Sequence, residues 1–69
     1  MNKENFMAQD PYEIDRIGDY IFYEHPTRGD EAPIYMLTPS GKLINTMFWD
    51  MGDFEAYGLE LCEEIEKGY

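Results

Sequence analysis

Near the C-terminus the apolar positions take up helical spacing. Phe54, Tyr57, Leu61, Cys62 and Ile65 fall within one arc of a helical wheel at about 100° per residue. The opposite side carries Glu55, Glu60, Glu63, Glu64 and Glu66. This pattern predicts an amphipathic helix with one side on a core and the other presenting carboxylates to water. Asp50-Met51-Gly52-Asp53 opens it with an acidic cap, since a side-chain oxygen there can accept from the free N–H groups of the first turn. Upstream the pattern is of β type. Tyr20-Ile21-Phe22-Tyr23 is a compact β-branched and aromatic run between Gly18-Asp19 and His25-Pro26, which predicts a strand. Residues 34–38 and 42–49 are two further β-rich runs. Pro39-Ser40-Gly41 between them has hairpin-turn chemistry, with Gly41 free to take a positive φ.

The N-terminal quarter is less decided. Residues 1–9 are polar with one Phe and two Met and no clear period, and are expected to form a loose arm. Asp10-Pro11-Tyr12-Glu13 then reads as a capping box, with Asp at the cap, Pro at the first helical position and Glu three residues after the cap. A short helix over 11–17 follows, stopped at Gly18. Tyr12, Ile14 and Arg16 alternate with charged residues, so an early strand competes with it. Residues 25–33 hold two prolines and a glycine among polar residues and predict an exposed loop. Together these elements give an α+β fold: a three-stranded antiparallel sheet packed against one C-terminal amphipathic helix, with a short N-terminal helix if 10–17 is helical. The chain divides into an arm over 1–9 and a single domain over 10–69.

Composition sets the scale of what such a domain can do. A chain of 69 residues buries only roughly 60% of its unfolded surface, which leaves one core and no large catalytic cleft. Aromatic residues make up 16% of it, enough to predict folding in spite of the charge. The rings of Tyr20, Phe22, Tyr23, Tyr35, Phe48, Trp49, Phe54 and Tyr57 are expected to supply most of the core. Dimerisation would add to it, so monomer and homodimer both stay open. Cys62 is the single cysteine, so no internal disulfide forms and a reducing compartment is expected. No apolar run is long enough to span a membrane, and the first residues lack the build of a signal peptide; a cytoplasmic protein is expected, in the host cytoplasm if phage-encoded.

The charge narrows the choice of partner. Fifteen acidic residues against five basic ones give a net charge of -10. Such a field repels nucleic acid and anionic lipid and draws in basic surfaces. Direct nucleic-acid or membrane binding is therefore not expected.

The motifs that suggest other chemistry each have a simpler reading. Ser40-Gly41-Lys42-Leu43 lacks the upstream glycine and the hydroxyl residue of a phosphate loop, because Met36 and Leu43 stand in those places. Arg28-Gly29-Asp30 matches the integrin-ligand tripeptide, but an intracellular protein has no use for it. Cys62 and His25 would be the nucleophile and base of a thiol enzyme; the first is expected in the core and the second in solvent. Zinc needs about four Cys or His ligands and the chain has two such residues. Asp50, Asp53 and Glu55 would suit a hard cation, but their spacing fits no EF-hand loop and capping accounts for the aspartates. No enzyme activity, metal or cofactor is expected.

The acidic surface is then the working part. Glu60, Glu63, Glu64 and Glu66 recur at helical spacing, about 5–6 Å between neighbouring Cβ atoms, comparable to the distance between successive phosphates on a strand. Glu55 lies on the same helix, and Glu13, Asp15, Asp19 and Glu24 extend the row if the N-terminal segment lies beside the helix. In its size, its pI near 4.1, its aromatic content and its lack of a catalytic constellation, the chain resembles the small acidic inhibitors that bacteriophages make against host defence, including DNA-mimic anti-restriction and anti-CRISPR proteins. The likeness is one of class and assigns no residue. It implies stoichiometric inhibition of a CRISPR effector or another nucleic-acid-binding complex through its basic surface. The alternative is a small interaction module that binds a protein through Trp49, Tyr69 or residues 25–33, with its charge serving solubility.

Overall fold

The computed structural model describes residues 3–26 and 32–68. Among the described residues, two helices and four strands follow in the order α1 (Lys3–Ala8), β1 (Glu13–Ile17), β2 (Tyr20–Tyr23), β3 (Tyr35–Leu37), β4 (Leu43–Asn45) and α2 (Met51–Glu66). The strands form one antiparallel meander in sequence order. The fold is α+β with a C-terminal helix, as the pattern predicts, but the sheet has four strands and not three.

The extra strand is the ambiguous segment 10–17, and the reason lies at Asp10 and Pro11. Asp10 has φ 56°, a left-handed conformation that an N-cap does not use and that Asp tolerates better than most residues. Its N–H donates to the Met7 carbonyl, and the Gln9 N–H donates to that of Phe6. Asp10 therefore closes α1 and does not open a helix, and Pro11 stands where prolines commonly follow a helix end. The chain after it is free to pair. Ile17 faces Tyr20 across the two-residue turn Gly18-Asp19, in which Gly18 takes φ 58°. The register skips Ile14, a bulge that marks β1 as a sheet edge.

The β3–β4 hairpin forms as expected. Gly41 has φ 90°, its N–H donates to the Thr38 carbonyl, and the Thr38 hydroxyl accepts from the Lys42 N–H. The expected strand over 42–49 is shorter than its pattern, because Met47 takes φ 65° and breaks the ladder. The Asn45 side chain and the Thr46 hydroxyl accept the N–H groups of Met47 and Phe48. Pairing resumes where the Ile34 N–H donates to the Phe48 carbonyl.

One face of the sheet supplies Tyr20, Phe22, Ile34 and Met36 to a core completed by Phe54 and Cys62 of α2. Ile14, Ile17, Ile44, Phe48, Leu61 and Ile65 pack around it. At Gly58 the helix comes so close to β1 that a Cβ would lie 3.0 Å from the Ile17 side chain and 3.2 Å from the Phe54 ring. Two of the rings expected inside are outside: Trp49 is 52% exposed and Tyr57 55%.

The opposite face carries a second, aromatic cluster. Phe6 of α1 is fully buried against Tyr23, His25 and Tyr35, with ring centroids 4.9–6.2 Å apart. The segment expected as a loose arm is thus a docked helix over residues 3–8. His25, expected in solvent, is buried because it belongs to this cluster. Ala32 at the other end of the expected loop is buried too. Residues 27–31, including Arg28-Gly29-Asp30, and Tyr69 lie outside the described residues.

Candidate functional site

Helix α2 is fixed at its start by two aspartates. The Asp50 carboxylate accepts from the Asp53 N–H at 2.9 Å, and the Asp53 carboxylate accepts from the Trp49 N–H at 3.1 Å. The first satisfies a donor that the helix leaves free, and the second ties the residue before the cap to the first turn. Asp50 and Asp53 are therefore committed to capping, and among the described residues no group of three or more His, Cys, Asp or Glu is placed to hold a metal ion.

Beyond the cap, Glu55, Glu60, Glu63, Glu64 and Glu66 are all exposed, as the wheel predicts. They do not form one row. At about 100° per residue, Glu55, Glu63 and Glu66 share the flank of α2 that faces β1, with Leu59 among them. Glu60 and Glu64 share the flank toward Phe48, with Tyr57. The surroundings follow this division. Glu63 and Glu66 line a shallow groove with Leu59, Ile17, Tyr20 and Asp19. Glu60 and Glu64 line another with Phe48, Tyr57 and Leu61.

Of the second acidic group, only Asp19 joins the helix, brought there by the tight β1–β2 turn beside the C-terminal half of α2. Asp15 is exposed on the β1 edge, and its carboxylate accepts from the Arg16 N–H at 2.7 Å. Glu13 is bound to Arg16 by a two-point ion pair at 2.7 and 3.0 Å, whose hydrogen bond holds the Glu13 carboxyl below its ordinary pKa. Glu24 lies at the far end of β2, where it lines a third groove beside Trp49 and Met51 at the start of α2.

The C-terminal half of α2 is electrostatically loaded. A helix C-terminus favours cations, yet the last turn of α2 has no basic residue and Glu63, Glu64 and Glu66 crowd it. Burial pushes the Cys62 thiol and the Tyr20 phenol above their ordinary pKa values, and the negative charge of Glu66 adds to both. Cys62 is thus a buried, protonated core thiol and a poor nucleophile.

The exposed apolar residues between these carboxylates escape a reading based on charge. Leu59 is 60% exposed, and its place outside the apolar arc was a usable signal. Trp49 gave none, because it stands in the apolar run Met47-Phe48-Trp49, which reads as strand and core. Compared with family models, with curated proteins and with solved structures, the chain matches none, so any functional reading rests on the residues themselves.

Proposed function

We propose that this chain is a non-enzymatic acidic binding protein that occupies the basic, nucleic-acid-binding surface of a partner protein and inhibits it by stoichiometric blockade. The observation that carries this reading is the pair of exposed carboxylate rows on the flanks of α2, with Asp19 added from the β1–β2 turn. A helix seated on a sheet holds such charges at fixed spacing, so a Lys- and Arg-lined surface gains charge-assisted contacts without the protein first having to order them. The clustering of Glu63, Glu64 and Glu66 at the negative end of the helix dipole costs stability, and selection for folding alone does not account for it. The working residues are Glu55, Glu60, Glu63, Glu64, Glu66 and Asp19, with Asp15 and Glu24 at the margins. The partner class is a CRISPR effector or a comparable nucleic-acid-binding complex, which places the protein in the cytoplasm.

A second reading has one observation in its favour. Trp49 and Tyr57 are half exposed, and aromatic side chains are common interface anchors. In that case the charge serves solubility and the aromatics make the contact.

Capture from host lysate separates the two. Wild-type protein is expected to retain a nucleic-acid-binding protein at low salt and to release it to added duplex DNA, while a Glu60→Gln, Glu63→Gln, Glu64→Gln, Glu66→Gln variant retains none. Equal retention by both proteins, unaffected by DNA, would leave the aromatic reading standing.

A further inference from the structure

The groove at the start of α2 differs from the two beside its carboxylate rows, because its walls are mostly apolar and its carboxylate is not in a row. Ile14, Pro33, Ile34, Trp49 and Met51 line it together with Glu24 and Asp50. Trp49 and Met51 are 52% and 40% exposed, so the fold leaves much of both side chains uncovered. Asp50 is engaged in the helix cap. Glu24 is half-buried, and its backbone N–H pairs with the Tyr12 carbonyl. Among the described residues nothing hydrogen-bonds to its carboxylate or forms an ion pair with it.

These features select an occupant. A purely apolar side chain would cover Glu24 and leave a desolvated charge without a partner. An acidic one would be repelled. A side chain with an apolar stem and a cationic head matches both parts, with the stem on Pro33, Ile34 and Met51 and the head at Glu24. Trp49 favours arginine over lysine, because a planar guanidinium stacks on an indole face while pairing with a carboxylate. The positive end of the α2 dipole does not oppose it, since the carboxylates of Asp50 and Asp53 already face that end.

We infer that this groove is a receptor for a single arginine side chain of a basic protein partner, and that it fixes the orientation in which the acidic rows meet that partner. The inference deepens the proposed function and rests on it for the basic character of the partner.

Trp49 is the only tryptophan, so its indole N–H gives one resonance that reports on the groove. The full chain is titrated at low salt with three short peptides that differ at one position: arginine, its neutral isostere citrulline, or leucine. The arginine peptide is expected to shift the Trp49 resonance saturably and to bind roughly threefold or more tighter than the citrulline peptide, as befits an exposed charge pair with a stacked ring. Glu24→Gln should remove that preference. A Glu4→Gln variant, which removes an exposed charge of α1 on the opposite face of the sheet, should keep it. An unmoved indole resonance, equal binding of arginine and citrulline, tightest binding of leucine, or an arginine preference that survives Glu24→Gln would each overturn the inference. These outcomes are independent of the proposed blockade: DNA-sensitive capture together with a silent groove removes only the receptor. An arginine-selective groove without DNA-sensitive capture removes only the blockade.

Discussion

The two faces of the sheet are covered by helices of very different reach. On one face the 16 residues of α2 lay Phe54 and Cys62 over Tyr20, Phe22, Ile34 and Met36, an extended core in which many side chains share the burial. On the other, the six residues of α1 hold their place largely through Phe6, seated among Tyr23, His25 and Tyr35. Isolated helices this short are not stable, so α1 depends on its docking. The surface presented by α2 thus rests on a distributed core, while the α1 face depends on one anchor.

The most severe test of that contrast is Phe22→Ala. Phe22 is fully buried between β2 and α2, and truncating a buried Phe costs about 3–5 kcal/mol. A core in a domain of this size supplies about as much, so chemical denaturation of the variant should show no cooperative transition. Phe6→Ala should cost less, at or below the lower end of that range, because α1 can undock and the cavity need not persist. Hydrogen exchange should then speed up at Tyr23 and Tyr35 and stay slow in α2. If instead Phe6→Ala abolishes the transition as completely as Phe22→Ala, the two faces form one cooperative core and the contrast fails.

Smaller effects sharpen the account of α2 itself. Asp50→Ala removes the side-chain acceptor for the Asp53 N–H and should lower stability by about 1 kcal/mol, read from the denaturation midpoint. Replacing Glu63 and Glu66 with Gln should raise stability by a few tenths of a kcal/mol at low salt, because charges of the wrong sign leave the helix C-terminus. That gain should vanish at high salt. The last effect appears only in alkali. Cys62 and Tyr20 hold their protons longer in the folded protein than in the unfolded chain. The unfolded state therefore ionises first, and stability falls as pH rises through and above the ordinary thiol value of 9.0. Cys62→Ala should reduce that fall, and native Cys62 should resist thiol labelling until the protein unfolds.

What the sequence revealed tracks the same contrast. The acidic cap at Asp50, the wheel of α2 and the turn at Gly41 were legible because each is a local pattern carried by several residues. The α1 face was not, since one Phe in a polar segment has no period to detect. Asp10-Pro11 fits the start of a helix as well as the end of one, and only the backbone turn at Asp10 decides between them. Among the site residues, the exposure of the α2 glutamates followed from spacing alone. Their separation into two flanks, and the joining of Asp19 to one of them, depend on where β1 lies against the helix. Neither the outward side chain of Trp49 nor the positive φ at Met47 is announced by its residue type.

Blockade by charge is decided by the salt dependence of affinity for the captured partner, measured for the wild type and for the variant with Gln at Glu60, Glu63, Glu64 and Glu66. Blockade by charge predicts a steep loss of wild-type affinity with rising salt and a much shallower slope, from a weaker starting point, for the variant. A wild-type affinity that barely responds to salt, with the variant binding as tightly, would contradict the account and move the contact to the aromatic side chains.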